Sequence, residues 1–163
     1  MKAPLIIDFR AMRLVGLNQQ TTLDAQNPFE LWRNFKKRLS EIHNRKSEVF
    51  YSIQVFNDKT DFGNFTPQTK FEKWAAVEIT DVAAEIPEGM TELRIDSGKY
   101  AVFIHKGLPS EFSKTAEFIY GHWLPPAPYV LDNKPHFEVM QADYYPNDPN
   151  ATEEVWVPIK DKI

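Results

Sequence analysis

The chain has 163 residues, of which 42% are hydrophobic, 13% aromatic and 26% charged. This composition excludes disorder, collagen and coiled coil and predicts a single domain spanning residues 1–163. A formal charge of −4 disfavours nucleic acid as a direct partner, and the absence of cysteine excludes disulfides and thiolate chemistry. We expect a cytoplasmic protein without membrane association, because no signal-peptide core or run of ~20 apolar residues occurs.

The first half of the chain predicts the order strand, helix, strand, strand. Residues 12–17 form the first strand. A helix of about five turns begins at the capping sequence of residues 27–30 and carries an apolar stripe made of Leu31, Phe35, Leu39 and Ile42. Residues 49–56 and 71–79, rich in aromatic and β-branched side chains, predict the next two strands.

The second half repeats this order. Residues 99–105 predict a strand, and Ser110 caps a helix that prolines end at Pro125. The apolar stripe of this helix comprises Phe112, Ala116, Ile119 and Trp123. Residues 136–141 and 154–159 predict the last two strands.

These elements predict an α+β fold built from two duplicated strand-helix-strand-strand units, at about residues 8–80 and 90–160. Neither unit buries both faces of its own sheet. We therefore expect antiparallel sheets with helices on the outer face, packed pseudo-symmetrically around a central groove. An extra strand at residues 91–96 is expected to pair with residues 99–105 in a hairpin.

Three stretches of the second half resemble the GyrI-like, AraC-type effector-binding domain of bacteria: residues 95–107, 119–125 and 135–139. Residues 148–150 and 154–159 continue the pattern, whereas the first half agrees only in the order of its elements. The resemblance implies a groove for small hydrophobic, often cationic, molecules, with aromatic walls and a buried glutamate that corresponds to Glu138. It implies multidrug recognition or transcription regulation, here by a stand-alone member.

Alternation along the strand at residues 136–141 separates Phe137 and Val139 from Glu138 and Met140. On the last strand it separates Trp156 from the apolar valines and isoleucine. If the apolar sets lie under the helices, Glu138, Met140 and Trp156 face the groove. Burial among aromatic rings raises the pKa of a carboxyl, and an arriving cation supplies its charge partner.

Four further aromatic residues are candidates for ligand binding: Trp74, Tyr100, Tyr120 and Trp123. Trp74 alternates with small apolar residues and is expected on the opposing wall of the groove. Tyr120 lies one position off the apolar stripe of the second helix, so we expect its hydroxyl toward the groove. Trp123 lies on that stripe, where core packing is the favoured interpretation.

Three functions remain open from the sequence. The first is a binding module that sequesters or senses toxic hydrophobic cations through Glu138 and its aromatic neighbours. The second, implied by hydrolytic members of the family, is hydrolysis of strained cyclopropane-containing toxins by Glu138 with Tyr120 or Tyr100 as acid. The third is interaction with DNA gyrase or a separate transcription regulator. We predict no cofactor, and the four histidines lack metal-ligand spacing.

Overall fold

Nine antiparallel strands form one sheet in the computed structural model, which describes residues 1–163. The strands are β1 Leu5–Phe9, β2 Met12–Thr21, β3 Phe50–Val55, β4 Phe71–Glu78, β5 Thr91–Ile95, β6 Gly98–Lys106, β7 Tyr129–Leu131, β8 His136–Met140 and β9 Thr152–Asp161. The helices are α1 Pro28–Lys37 and α2 Phe112–Glu117, and the latter continues into a π-helical turn at Phe118–Trp123. No helix has the length and hydrophobicity needed to cross a bilayer.

The strand order across the sheet is β1-β6-β9-β8-β3-β4-β2-β5, with β7 paired to β9. The middle of the sheet is therefore the pairing of β8 with β3, which joins the two halves of the chain. This confirms the predicted α+β class and antiparallel sheet. The pseudo-symmetry and the boundaries of the repeats stay predictions.

The predicted hairpin between β5 and β6 is wrong. β5 pairs with β2, with Met12 opposite Ile95, while β6 pairs with β1. The short link after Ile95 instead carries the chain from one end of the strand order to the other. This path is favourable because Ile95 and Tyr100, on either side of the link, both enter the same apolar cluster.

Helix α1 is shorter than its apolar stripe predicts. Asn27 caps it by accepting a hydrogen bond from the Glu30 amide, as expected, but the helix ends at Lys37. The Arg38 amide donates to the Phe35 carbonyl three residues back, and a 3₁₀ turn carries Leu39 onward. The stripe residues still pack on the sheet because the tighter turn keeps them on the same side.

The second helix differs in a similar way. Its regular part ends at Glu117, and the Leu124 amide donates to the Ile119 carbonyl across a π-helical turn. Ser110 is not the cap: the Leu108 amide donates instead to the Glu111 side chain. A 3₁₀ turn that starts at Pro109 places Glu111, rather than Ser110, within reach of that amide.

Three apolar clusters hold the sheet. The central cluster fills one face and draws on strands from both ends of the order, so the sheet curls around it; its largest members are Phe9, Tyr51, Trp74, Tyr100 and Phe137. The α1 cluster and the α2 cluster lie on the other face, each beneath its helix. The central cluster thus covers one face of the sheet, and the two helices share the other face.

This arrangement leaves the middle strands uncovered between the helices. Ala75 of β4 packs under α1 and Val155 of β9 packs under α2. The register places Ser52 opposite Ala75 and Glu138 opposite both Ser52 and Val155, so all of these side chains share the helix-bearing face. The gap between the helices therefore opens onto β3 and β8.

Gly16 lies where β2 passes close to the backbone of β4, and we expect that no larger residue fits there without loss of stability. A Cβ atom at this position would lie 2.0 Å from the backbone oxygen of Ala75, which cannot move without disturbing the pairing. We expect Gly16→Ala to lower the free energy of unfolding by about 1–3 kcal/mol, the usual effect of overpacking. Urea denaturation measures this change.

The control is Gly121→Ala, whose Cβ would meet only the Glu117 side chain at 3.9 Å, an ordinary contact. This variant should keep the wild-type midpoint. Equal midpoints for both variants would show that the strands tolerate the extra methyl group.

Candidate functional site

A cavity of about 410 Å³ occupies the gap between the two helices. Its floor is made by side chains of β3, β4, β8 and β9, and its walls come from α1, the start of α2 and the segment that follows β8. The volume is within the range of small-molecule sites in proteins. The cavity is the place to look for function, because ionisable side chains gather on its floor.

Glu138 lies on this floor because of the alternation along β8. Phe137 and Val139 enter the central cluster, so Glu138 and Met140 must point the other way, into the cavity. Glu138 is half-buried, and its carboxylate accepts a hydrogen bond of 3.2 Å from the Gln54 side-chain amide. Burial raises the pKa of Glu138 above its usual range, although Lys73 and the bond from Gln54 oppose the rise.

Glu153 is a second carboxylate of the cavity. It lies on β9, and burial is the main cause that raises its pKa to about 8; the nearby charge of Glu138 adds to the rise, and Lys73 opposes it. Tyr144 completes this group, and burial together with both carboxylates raises its pKa to about 12. At neutral pH the site therefore holds protons that a cation can displace.

Lys73 is the buried cation of the site, whereas the other two cations of the lining, Arg33 and Lys36, belong to α1. Its side chain belongs to β4, is only 8% exposed and lines the cavity. Burial lowers its pKa, whereas Glu138 and Glu153 act to raise it. Its amine nevertheless forms none of the ion pairs of the protein and no side-chain hydrogen bond.

Aromatic rings form much of the wall. Trp32 of α1 meets Phe50 of β3 nearly perpendicularly at a ring distance of 5.8 Å, and both line the cavity. Phe29 and Phe112 contribute from the two helical sides. The Lys36 ammonium lies 5.0 Å from the Phe50 ring centre, so these ring faces already bind a cation of the protein.

The structure brings together only part of the sequence-predicted site. Glu138 and Met140 line the cavity as expected. Trp74, Tyr100 and Trp156 instead belong to the central cluster, on the opposite face of the sheet from Glu138. Their expected place in the groove is wrong because the cavity opens on the helix-bearing face of the sheet, whereas the groove is expected on the opposite face.

Hydrogen bonds and ring packing show how these three residues are used. Trp156 stacks on Phe137 at a ring distance of 5.2 Å, and the Tyr100 hydroxyl donates to the Pro135 carbonyl at 2.8 Å. The Trp74 indole donates to Glu72. Their polar atoms are therefore satisfied within the protein.

Tyr120 and Trp123 also lie outside the cavity. The Tyr120 hydroxyl is 3.2 Å from Nδ1 of His136, rather than bonded to Glu138. Burial is the main cause that raises its pKa, and Glu138 adds to the rise. Trp123 packs in the α2 cluster against Phe103 and Tyr129, at ring distances of 5.2 and 6.2 Å, which agrees with the core interpretation.

Sequence reasoning missed Trp32, Lys73, Tyr144 and Glu153. Two of them carry a signal in the pattern. Lys73 has the same parity as Ala75 on a face of β4 that is otherwise apolar, and Glu153 has the same parity as Val155 on β9. A charged residue that alternates in phase with core residues indicates a polar pocket on that face. No group of three or more histidine, aspartate or glutamate side chains is arranged to hold a metal ion.

Comparison with curated proteins finds a transcriptional regulator. The transcriptional regulator BrlR of Pseudomonas aeruginosa is 27% identical over 156 residues, which are 94% of this chain and 54% of the regulator. The chain thus spans about half the length of this curated relative.

Many solved structures share the fold, and two of them illustrate the range of similarity. SAV2435, solved bound to tetraphenylphosphonium, has a TM-score of 0.72 with 16% identity, covering 98% of this chain and 94% of that one. A hydrolase from Listeria innocua has a TM-score of 0.60 with 10% identity, covering 97% and 92%. A model of the GyrI-like small molecule binding domain matches residues 2–160, so the chain belongs to the GyrI-like family of small-molecule binding domains.

Proposed function

We propose that the cavity binds a hydrophobic cation, with Glu138 and Glu153 as its counter-charges, and that the protein sequesters or senses toxic compounds of this kind. The observation that carries the proposal is the pair of carboxylates on the floor of an aromatic-walled cavity. The ligand of the structural neighbour SAV2435, tetraphenylphosphonium, belongs to the same chemical class.

The energetics favour a large cation of diffuse charge. A buried carboxylate loses hydration, and a cation in the cavity replaces that loss with a charge partner. A lipophilic cation gives up little hydration of its own, and its hydrocarbon groups bury apolar area against Trp32, Phe50 and Phe112. The ring faces add attraction for the positive charge.

The first test replaces the carboxylate on β8. We expect Glu138→Gln to weaken tetraphenylphosphonium binding by about tenfold or more. The bound cation loses the negative charge of Glu138, whereas glutamine keeps the shape of the site. Quenching of tryptophan fluorescence provides the readout, since Trp32 is the tryptophan that lines the cavity. The neutral triphenylphosphine oxide should bind both proteins with similar affinity.

The matched control is Glu154→Gln, the same chemical change on β9. Glu154 accepts a hydrogen bond of 3.0 Å from the Trp156 indole on the face away from the cavity, and glutamine keeps an acceptor there. This variant should bind the cation as the wild type does. Equal affinity of the wild type and Glu138→Gln would contradict the proposed role of the carboxylate.

The affinity for the cation should depend on pH. A bound cation favours ionised Glu153, whose pKa is raised to about 8, so binding below about pH 8 releases a proton. The affinity should therefore rise with pH by up to about tenfold per unit and level off above about pH 8. Titration calorimetry in two buffers of different ionisation enthalpy measures the released proton.

The variant Glu153→Gln isolates this group from Glu138 and Lys73, which also titrate in the cavity. It should flatten the pH profile while leaving the cavity open. A wild-type affinity that is constant across the same pH range would show that the ligand does not compete with a proton.

Hydrolysis of a strained, electrophilic toxin is the second candidate function. It is favoured by Tyr144, which lines the same cavity as Glu138 and Glu153, and it would use a carboxylate to activate water. Tyr144 is a better candidate for the acid than Tyr120, because the Tyr120 hydroxyl is hydrogen-bonded to His136 and Tyr120 does not line the cavity. Product formation from a cyclopropane-containing electrophile that is lost in Tyr144→Phe would support this function; the same rate with and without protein would exclude it for that substrate.

A role with a protein partner also stays a proposal. BrlR is a transcriptional regulator, and this chain matches only part of it. DNA gyrase or a separate regulator is the partner that the family resemblance suggests. Co-purification that depends on tetraphenylphosphonium would link such a partner to the cavity.

A further inference from the structure

Lys73 is not explained by cation binding. A lysine ammonium in the cavity repels the ligand proposed above, and its long side chain is costly to bury. A lysine kept only to neutralise Glu138 or Glu153 would be expected to form an ion pair with one of them. The amine instead remains without a protein partner while both carboxylates line the same cavity.

We propose that Lys73 is a covalent capture site, at which its amine forms an imine with a hydrophobic aldehyde or ketone held in the cavity. The inference deepens the proposed function, because it uses the same aromatic walls and adds reactive carbonyl compounds to the ligands. An unpartnered amine that a buried lysine presents to a cavity with carboxyl groups is the arrangement that this reaction requires.

The reaction balances with groups of this chain. The neutral amine of Lys73 forms a C–N bond to the carbonyl carbon, and a proton moves from nitrogen to the carbonyl oxygen to give a carbinolamine. The carboxylic acid of Glu153 protonates the hydroxyl, the C–O bond breaks, and water leaves as the C=N bond forms. The products are an iminium ion, the Glu153 carboxylate and water, so the new cation and its counter-charge appear together.

The environment suits each step. Burial lowers the pKa of Lys73, which enlarges the fraction of free amine at neutral pH, and it raises that of Glu153, which keeps the acid protonated. The walls select the carbonyl compound, because Trp32, Phe50 and Phe112 offer apolar area and the cavity of about 410 Å³ admits an aromatic ring with its side chain. Small hydrophilic aldehydes would bury little apolar area in this cavity and are therefore expected to bind weakly.

The experiment uses cinnamaldehyde as the probe and sodium cyanoborohydride to reduce the imine to a stable amine. At neutral pH, with a limiting concentration of probe, we expect one cinnamyl group per chain, mapped to Lys73 by peptide mass spectrometry. Labelling of Lys73 should exceed that of the exposed Lys160 by about tenfold or more, since the cavity holds the probe beside Lys73, whereas Lys160 does not line it. Labelling that is spread evenly over surface lysines would overturn the proposal.

Two variants sharpen the result. Lys73→Arg keeps a cation but cannot form an imine, so it should lose the mapped label; Lys160→Arg should keep it. Because the site is mapped in the wild-type protein, the test does not depend on folding of either variant. Unchanged labelling in a folded Lys73→Arg protein would also overturn the inference.

Competition with tetraphenylphosphonium separates this inference from the proposed function. If the cation binds and blocks labelling of Lys73, both are supported. If the cation binds but Lys73 is not labelled, capture is excluded and cation binding stands. If Lys73 is labelled in a saturable manner but the cation neither binds nor protects, cation binding is excluded and capture stands.

Discussion

The sheet packs apolar clusters on both of its faces, and strand alternation therefore directs each side chain of the middle strands either into the central cluster or toward the helix-bearing face. On β8 this rule sends Phe137 and Val139 into the central cluster and leaves Glu138 and Met140 for the other face. The helices cover the flanks of that face but not its middle. The packing of the apolar residues thus leaves the cavity between the helices and places Glu138 on its floor. Glu138 could not turn to the other face without exposing the apolar residues of β8 that belong to the central cluster.

The charges of the site are set by this enclosure. Glu138, Glu153 and Lys73 all lose hydration there. Burial therefore raises the pKa of the two carboxyl groups and lowers that of the lysine, which in each case favours the neutral form. An internal lysine beside two carboxyl groups limits the net charge of the empty cavity. A ligand therefore exchanges protons with the site as it binds, and selectivity follows from which charge each ligand replaces as well as from its fit to the aromatic walls.

The sequence predicts the strands and the alternation well because both follow from local patterns. Period-two alternation places Glu138 apart from Phe137, and it does so in the structure. What alternation cannot supply is which face of the sheet carries the cavity, so the expectation places Trp156 in the groove although it lies in the central cluster. On β9 the valines do lie under α2, whereas on β8 the apolar pair lies in the central cluster. Local patterns also do not indicate that β5 pairs with β2, since pairing over long sequence separations depends on the whole sheet.

The crossing of the chain between the ends of the sheet has a consequence for folding during synthesis. The edge strand β1 cannot pair until β6 has been synthesised, and β2 cannot complete its pairing until β5 has been synthesised. The first half leaves the ribosome with Leu14 and Trp74 facing no finished interior, since the aromatic partners from β6 and β8 come later. A nascent chain of this topology is exposed to aggregation until nearly all of it has emerged, and truncation before β9 is expected to give insoluble product rather than a smaller folded unit.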